Sequence, residues 1–374
     1  MALSLGRRLA YSGVMALCLL GLAEGVARAV YTPSAPPEAV GTGMVPHPTR
    51  IWGLQPGVNQ SFGITVTVNE LGMREPVASA PDGAPRILTL GDSSIYGHGV
   101  PDGLTLHDQL QSELSARGVI AEVLCGGVPG YSILQTRVFM DEVGWDLAPD
   151  LLVVANQFSD MAPETFRDSV VLQSLSSPTV RLDRTLQSLA LYGLLRQRIA
   201  RAKGVPEFAA VGWPEPNKTG QARLSPEEYK GGIEGLLLEA HARGVGVVML
   251  RLPERRAYEQ GFQTPYGVGM MELGEAWGVP VLAVDEEYRR SGLSAEALYL
   301  DNVHPTDRGH ALIAQGLAQG LVDHGFPEQV PVPAAEPTKE VIILPQQASG
   351  ASISPVFELF LGAPGGTPAA PRAQ

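Results

Sequence analysis

The stretch Arg86-Ile87-Leu88-Thr89-Leu90-Gly91-Asp92-Ser93-Ser94-Ile95-Tyr96-Gly97 decides how the chain is organised. Residues 87–90 are a short apolar run, and Gly91-Asp92-Ser93 turns the chain directly after it. A helical spacing follows over 104–117, where Leu106, Leu110 and Leu114 stand on one face. A strand that passes through a turn into a helix is the unit from which parallel sheets are built.

The alternation continues outward from that unit. Further strands are expected at 120–124, 151–155, 245–250 and 279–284. The run 151–155 is apolar throughout, as suits a strand buried on both faces. Helices are expected at 132–143, with Ser132 as cap, and at 306–324. Another starts at Ser225-Pro226-Glu227-Glu228, where a cap serine, a first-turn proline and a glutamate three residues on coincide, and it stops near Gly244. Strands separated by helices predict an α/β fold, a three-layer α/β/α sandwich around a five-stranded parallel sheet. Ligands of such sheets bind beyond the carboxyl ends of the strands, where strand order reverses. Ser93 follows the first strand, Gly130 the second and residues 156–160 the third, so all fall on one rim.

Far from Ser93 lies Leu300-Asp301-Asn302-Val303-His304-Pro305. Acyl transfer at neutral pH needs a hydroxyl nucleophile, a base to take its proton and a group to orient the base. Ser93, His304 and Asp301 are those residue types. Each has an ordinary reading too. Gly-Asp-Ser is a common turn whose serines cap helices, and Asp301 could cap the helix after it. Ser94 is the other hydroxyl at the turn, and His98 is the runner-up base. Asp92 reads as support for the turn.

Gly91-Asp92-Ser93, Gly130 and the pair Asp301 with His304 resemble the SGNH (GDSL-type) hydrolases, over residues 31–326. The resemblance implies a flavodoxin-like strand order and an acyl-enzyme on Ser93, with His304 as base and Asp301 as orienter. It also implies an oxyanion hole made by the N–H groups of Ser93 and Gly130 and by an asparagine side chain after the third strand. The chain departs from the pattern there. The asparagine's position is Ser159, in Asn156-Gln157-Phe158-Ser159-Asp160. Either the Ser159 hydroxyl donates, or the loop is reshaped so that Asn156 or Gln157 reaches in. A similar Asn69-x-x-Gly72-x-Arg74 lead-in recurs in exported relatives, which places 31–85 with the catalytic unit. No Gly-x-Ser-x-Gly elbow occurs, which argues against the α/β-hydrolase layout.

The chain has 374 residues and a formal charge of −12, which argues against a nucleic-acid partner. Abundant Gly, Ala and Pro suggest a GC-rich bacterial source. Two cysteines, Cys18 and Cys125, make no disulfide framework, and no zinc motif is present. No cofactor and no metal are expected. Arg7-Arg8 precede an apolar run over 9–23, and Ala27-Arg28-Ala29 offers a small-x-small cleavage site. Residues 1–30 are therefore a signal peptide or an uncleaved membrane anchor, and the rest is exported. Residues 86–326 are expected to be the hydrolase domain, with an irregular insertion or cap at 160–223. Residues 327–374 read as a Pro/Ala-rich flexible tail.

The expected function is an exported serine esterase or acyl hydrolase, acting on an ester-containing small molecule, a lipid or an acylated glycan. The alternatives are an O-acyltransferase or deacetylase of envelope polysaccharide, and a catalytically inactive binding module of the same fold.

Overall fold

A computed structural model describes residues 5–35, 39, 41–76, 81–162, 166–204, 207–210, 213 and 220–338. Most of the Pro-rich loop expected at 206–219 lies outside these residues, as do the apolar patches 341–344 and 356–361 of the expected tail.

Helix α1 (Leu5–Val30) leads into two antiparallel hairpins, β1 (Met44–His47) with β2 (Ile51–Leu54), and β3 (Gly57–Ser61) with β4 (Ile64–Val68). Next come β5 (Arg86–Gly91), α2 (Ser93–Tyr96), α3 (Leu106–Ala116), β6 (Glu122–Gly127), α4 (Ile133–Phe139) and β7 (Leu151–Val154). The region 160–223 is more helical than its composition suggested. It holds α5 (Phe158–Met161), α6 (Asp168–Leu175), α7 (Pro178–Leu186), α8 (Ala190–Lys203) and α9 (Glu207–Ala210). Pro178 at the first turn of α7 was its legible start signal. The alternation then resumes with α10 (Pro226–Arg243), β8 (Gly246–Arg251), α11 (Arg255–Gln260) and α12 (Pro265–Trp277). It closes with β9 (Val281–Ala283), α13 (Val284–Ser291), α14 (Ala295–Leu298) and α15 (Asp307–Asp323).

Five strands form one parallel sheet in the order β6-β5-β7-β8-β9, the flavodoxin-like order. Alternate residues of a strand face opposite sides of the sheet. Leu88, Leu90, Leu152, Val154, Val247 and Met249 accordingly pack under α4, α10 and α12. Ile87, Leu151, Val153, Val248 and Leu250 pack under α3, α13 and α15. Both faces are covered, and this produces the three layers.

The lead-in packs on this core through Ile51, Trp52, Leu54, Val66 and Val68. Arg74, fully buried, donates to the carbonyls of Tyr96 (2.9 Å), Gly97 (2.7 Å) and Val100 (2.7 Å) and pairs with Asp102. The arginine of the lead-in motif is thus a strut under the turn that carries Ser93. The start of the expected flexible tail is fastened down. Val247 N–H donates to Pro331 O (2.9 Å), Ala334 N–H to Trp277 O (2.9 Å) and Thr338 N–H to Ala276 O (2.7 Å).

Candidate active site

Asp92 builds the turn at the end of β5. Its buried carboxylate accepts from Ser94 N–H (2.9 Å) and from Ser159 N–H (3.0 Å). One side chain therefore ties the serine turn to the loop after β7, across the point where strand order reverses. Gly127, ending β6, comes so close that a Cβ there would lie 2.6 Å from Tyr96 N. The Ser94 hydroxyl donates to Val303 O (3.2 Å) and holds the distant histidine loop against the turn.

Within that loop Asp301 Oδ1 accepts from the N–H groups of Val303 (2.8 Å) and His304 (2.9 Å). Its Oδ2 lies 2.6 Å from His304 Nδ1. His304 Nε2 lies 2.8 Å from Ser93 Oγ. Residues 211 positions apart in sequence are joined in one hydrogen-bonded line. Thr306, not Asp301, caps α15. Burial acts to raise the Asp301 carboxyl, but hydrogen bonds from the His304 ring and from the His304 and Val303 N–H groups outweigh it and hold the carboxyl well below its usual range. It is a carboxylate at any pH where the imidazole works.

His98 stands beside His304, with ring centroids 5.2 Å apart, and Phe62 packs on both. His98 Nδ1 is 2.6 Å from Ser61 Oγ, and no carboxylate among the described residues pairs with it. Burial first, then the nearby His304 charge, lowers it to about 4, so it stays neutral.

Gly130 has φ +77°, and a Cβ there would lie 2.9 Å from Trp52 Cζ2. Two buried groups fix its flanking peptides. Trp52 Nε1 donates to Pro129 O (3.0 Å), and Arg223 donates to Gly130 O. The Pro129 carbonyl and the Gly130 N–H belong to one trans peptide and point opposite ways, so anchoring the first aims the second. Arg223 is only 3% exposed, forms a two-pronged pair with buried Asp168 (2.8 and 2.7 Å), and stacks on Trp52 and Phe166. Neither Trp52 nor Arg223 was found from sequence. Both come from segments without a motif, and only packing brings them to Gly130.

The candidates after β7 separate clearly. Asn156 is fully buried, and its Nδ2 donates to Thr136 Oγ1 (2.9 Å) and Tyr131 O (3.4 Å). That amide makes its hydrogen bonds inside the core. Gln157 Nε2 is turned to Thr264 Oγ1 (3.2 Å). Ser159 is half-buried beside the Asp92 carboxylate. Asp160 is fully buried. Burial pushes its carboxyl up to about 8, and one oxygen accepts from Ile133 N–H (2.8 Å).

These groups fix a pH dependence of stability. Burial lowers His47, His98 and His107 to about 4 and His310 to about 3. Unfolded histidines bind protons near pH 6.5, so between 6.5 and 4 the unfolded chain takes up more protons than the native one. Their contribution is full above 6.5 and is lost as pH falls. Asp160 has the opposite sign, because its raised value favours the folded state most at low pH. The four lowered histidines outnumber the raised carboxyls of Asp160, Asp141 and Glu234, and the lowered Asp301 adds to their sign. The urea midpoint is expected to fall steadily from pH 7 to pH 4.5; a flat profile would contradict this account.

No metal-ligating group of His, Cys, Asp and Glu is present among the described residues. No protein-family model matches the chain, and no curated protein matches it. Solved structures do. A lipase/acylhydrolase from Enterococcus faecalis shares 15% identity over 66% of this chain and 100% of its own, with a TM-score of 0.43. An acetylxylan esterase from Geobacillus stearothermophilus shares 16% over 65% and 94%, with a TM-score of 0.41. A lipolytic protein of the G-D-S-L family from Desulfitobacterium hafniense shares 12% over 63% and 98%, with a TM-score of 0.39.

Proposed function

We propose that this chain, an SGNH (GDSL-type) hydrolase by motif and fold, is a serine esterase working through an acyl-enzyme on Ser93. The observation that carries the reading is the line Asp301–His304–Ser93, with its two short hydrogen bonds. His304 Nε2 takes the Ser93 proton as Oγ attacks the ester carbonyl. His304 then returns that proton to the leaving alkoxide. Asp301 holds the Nδ1–H tautomer and stabilises the imidazolium. Water, deprotonated by the same nitrogen, attacks the acyl-enzyme, and His304 passes that proton to Ser93 Oγ as the acid leaves. Ser94 is not the nucleophile in this scheme, since its hydroxyl serves the Val303 carbonyl.

The charge formed on the carbonyl oxygen needs preorganised donors. The N–H of Ser93, at the start of α2, and the N–H of Gly130 are assigned that role, with the Ser159 hydroxyl as third. Neither N–H has a partner among the described residues. The lead-in belongs to this catalytic unit, because Trp52, Ser61 and Arg74 all act on the site's walls. A phosphonate that reacts with activated serines should label Ser93. Undiminished labelling of Ser93→Ala would remove the assignment.

Trp52 is assigned as a positioning residue. Trp52→Phe keeps the ring packing and deletes the N–H on Pro129 O. The expected result is a fall in kcat of about tenfold with KM nearly unchanged, since a misaimed donor weakens the transition state more than the bound ester. A change confined to KM would refute the role.

A further inference from the structure

Helix α1 and the α7–α8 elbow meet in an ordered ladder. Glu24 accepts from the N–H groups of Ala190 and Leu191, both at 3.0 Å, and pairs with Arg28 at 2.8 Å. Arg28 also donates to Ser188 O (3.4 Å). Gly193 lies against Tyr31, where a Cβ would stand 2.3 Å from the phenol oxygen. Gln197 Nε2 donates to Ser34 Oγ (3.0 Å) and Thr32 O (3.3 Å). Apart from the Arg28–Ser188 rung, where a long side chain reaches back, residue numbers rise together from Glu24–Ala190 through Tyr31–Gly193 to Ser34–Gln197, so α8 climbs in the same direction as the chain leaving α1. The α8 cap residue, Leu189, makes no side-chain cap bond. Glu24 caps that helix from across the contact, a favourable place for a negative charge. Asp183 accepts from Arg196 and from Tyr192 OH (2.6 Å), which locks α7 to α8.

Four leucines crowd this elbow without cover. Leu182, Leu189, Leu191 and Leu195 are 60%, 41%, 39% and 51% exposed. Farther along α8 the exposed residues become basic, with Arg198, Arg201 and Lys203. Leu191 and Arg198 are about 10 Å apart along the axis. Residues Tyr11–Val30 of α1 are long and apolar enough to cross a bilayer, and every residue of their first half is exposed. If Arg7-Arg8 mark the cytoplasmic boundary, a hydrocarbon layer of about 30 Å is crossed in about 20 residues, which ends near Arg28. The Glu24 rung then sits about 6 Å inside the far edge. Leu189 and Leu191 fall at the depth of acyl chains, Leu195 at their outer edge, and the arginines of α8 at the depth of headgroups.

We infer that α1 is retained as an anchor and that the α7–α8 elbow is a membrane-contact surface, seated in the leaflet into which α1 emerges. Uncovered leucines, a height fixed by Glu24, and a change from apolar to basic along α8 together match one occupant, the anionic lipid bilayer that already surrounds α1. The inference does not depend on the esterase reading.

The test uses the full chain in vesicles of phosphatidylcholine and phosphatidylglycerol. Cys18→Ala removes the exposed thiol, while Cys125 is buried with its thiol pushed up to about 12 and does not compete for label. Single cysteines at Leu191→Cys, Leu195→Cys or Leu182→Cys carry an environment-sensitive fluorophore, with exposed Ile120→Cys as control. A lipid bearing a nitroxide near its headgroup is expected to quench most of the emission at the elbow and to leave the control unchanged. Three elbow sites keep the test valid if one variant misfolds. Equal quenching at elbow and control overturns the proposal, as does recovery of a protein cleaved after Ala29 and free of the vesicles.

Discussion

Ser93→Ala and His304→Ala should each lower kcat/KM for a short-chain p-nitrophenyl ester by about 10⁴-fold or more, approaching 10⁶-fold. The size follows from the geometry. Ser93 Oγ and His304 Nε2 are 2.8 Å apart, so either change removes the whole proton-transfer line and not one contact in it. The double variant should therefore be little worse than either single one, because groups that act as a unit do not lose rate additively. The remaining activity reports the N–H groups of Ser93 and Gly130, which both variants keep. Asp301→Ala should cost less, about 10²-fold to 10⁴-fold, since its side chain is 41% exposed and water can replace part of its support. Steady-state kinetics with single-turnover controls would check the order. Full activity in Ser93→Ala would end the serine mechanism, and equal loss in all three would show Asp301 to be indispensable.

The second large effect concerns stability. Arg223→Met should lower the unfolding free energy by about 3–5 kcal/mol, because the Asp168 carboxylate is left charged and unpaired in a dry site. Asp168 is fully buried and has Arg223 on both oxygens. Gly130 O and Gln135 Oε1 lose a donor in the same step. Replacing both charges, as Arg223→Met with Asp168→Leu, should recover much of the loss, since removing a buried pair together is far cheaper than breaking it. Chemical denaturation of the two variants would measure this. A double variant as unstable as the single would place the cost in packing over Trp52 and Phe166 instead of in the charge. Activity of the stable double variant should stay low, because the Gly130 peptide has lost its outer fastening.

Much of the architecture was legible in the chain because its signals are local. The apolar runs that became β5, β7 and β8 carry their strand character in consecutive residues, and Ser225-Pro226 with Glu228 starts α10 with an observed capping box. In the cap, the helical spacing over 186–202 anticipated α8 (Ala190–Lys203), whereas α6 and α7 were not read. The placement of the cap was poorly legible because Glu24 of another helix and the lead-in, both far away in sequence, help to hold it. The β1–β2 hairpin was missed likewise; its turn leads into Ile51, a fully buried β-branched residue at φ +70°, which no sequence signal announces.

Sequence by itself determined the parallel sheet, the rim on which the chemistry stands, and the identity of Ser93, Asp301 and His304 as a possible set. Residue type and spacing suffice for these, because strand periodicity and the intrinsic reactivity of a side chain are properties of short segments. Only the tertiary structure decided that Asn156 is spent on Thr136 and Tyr131, that Gln157 turns to Thr264, and that Trp52 and Arg223 hold the Gly130 loop. Hydrogen-bond direction inside a core depends on which distant groups arrive beside each donor. Folding the whole chain, and no single segment of it, sets that arrangement.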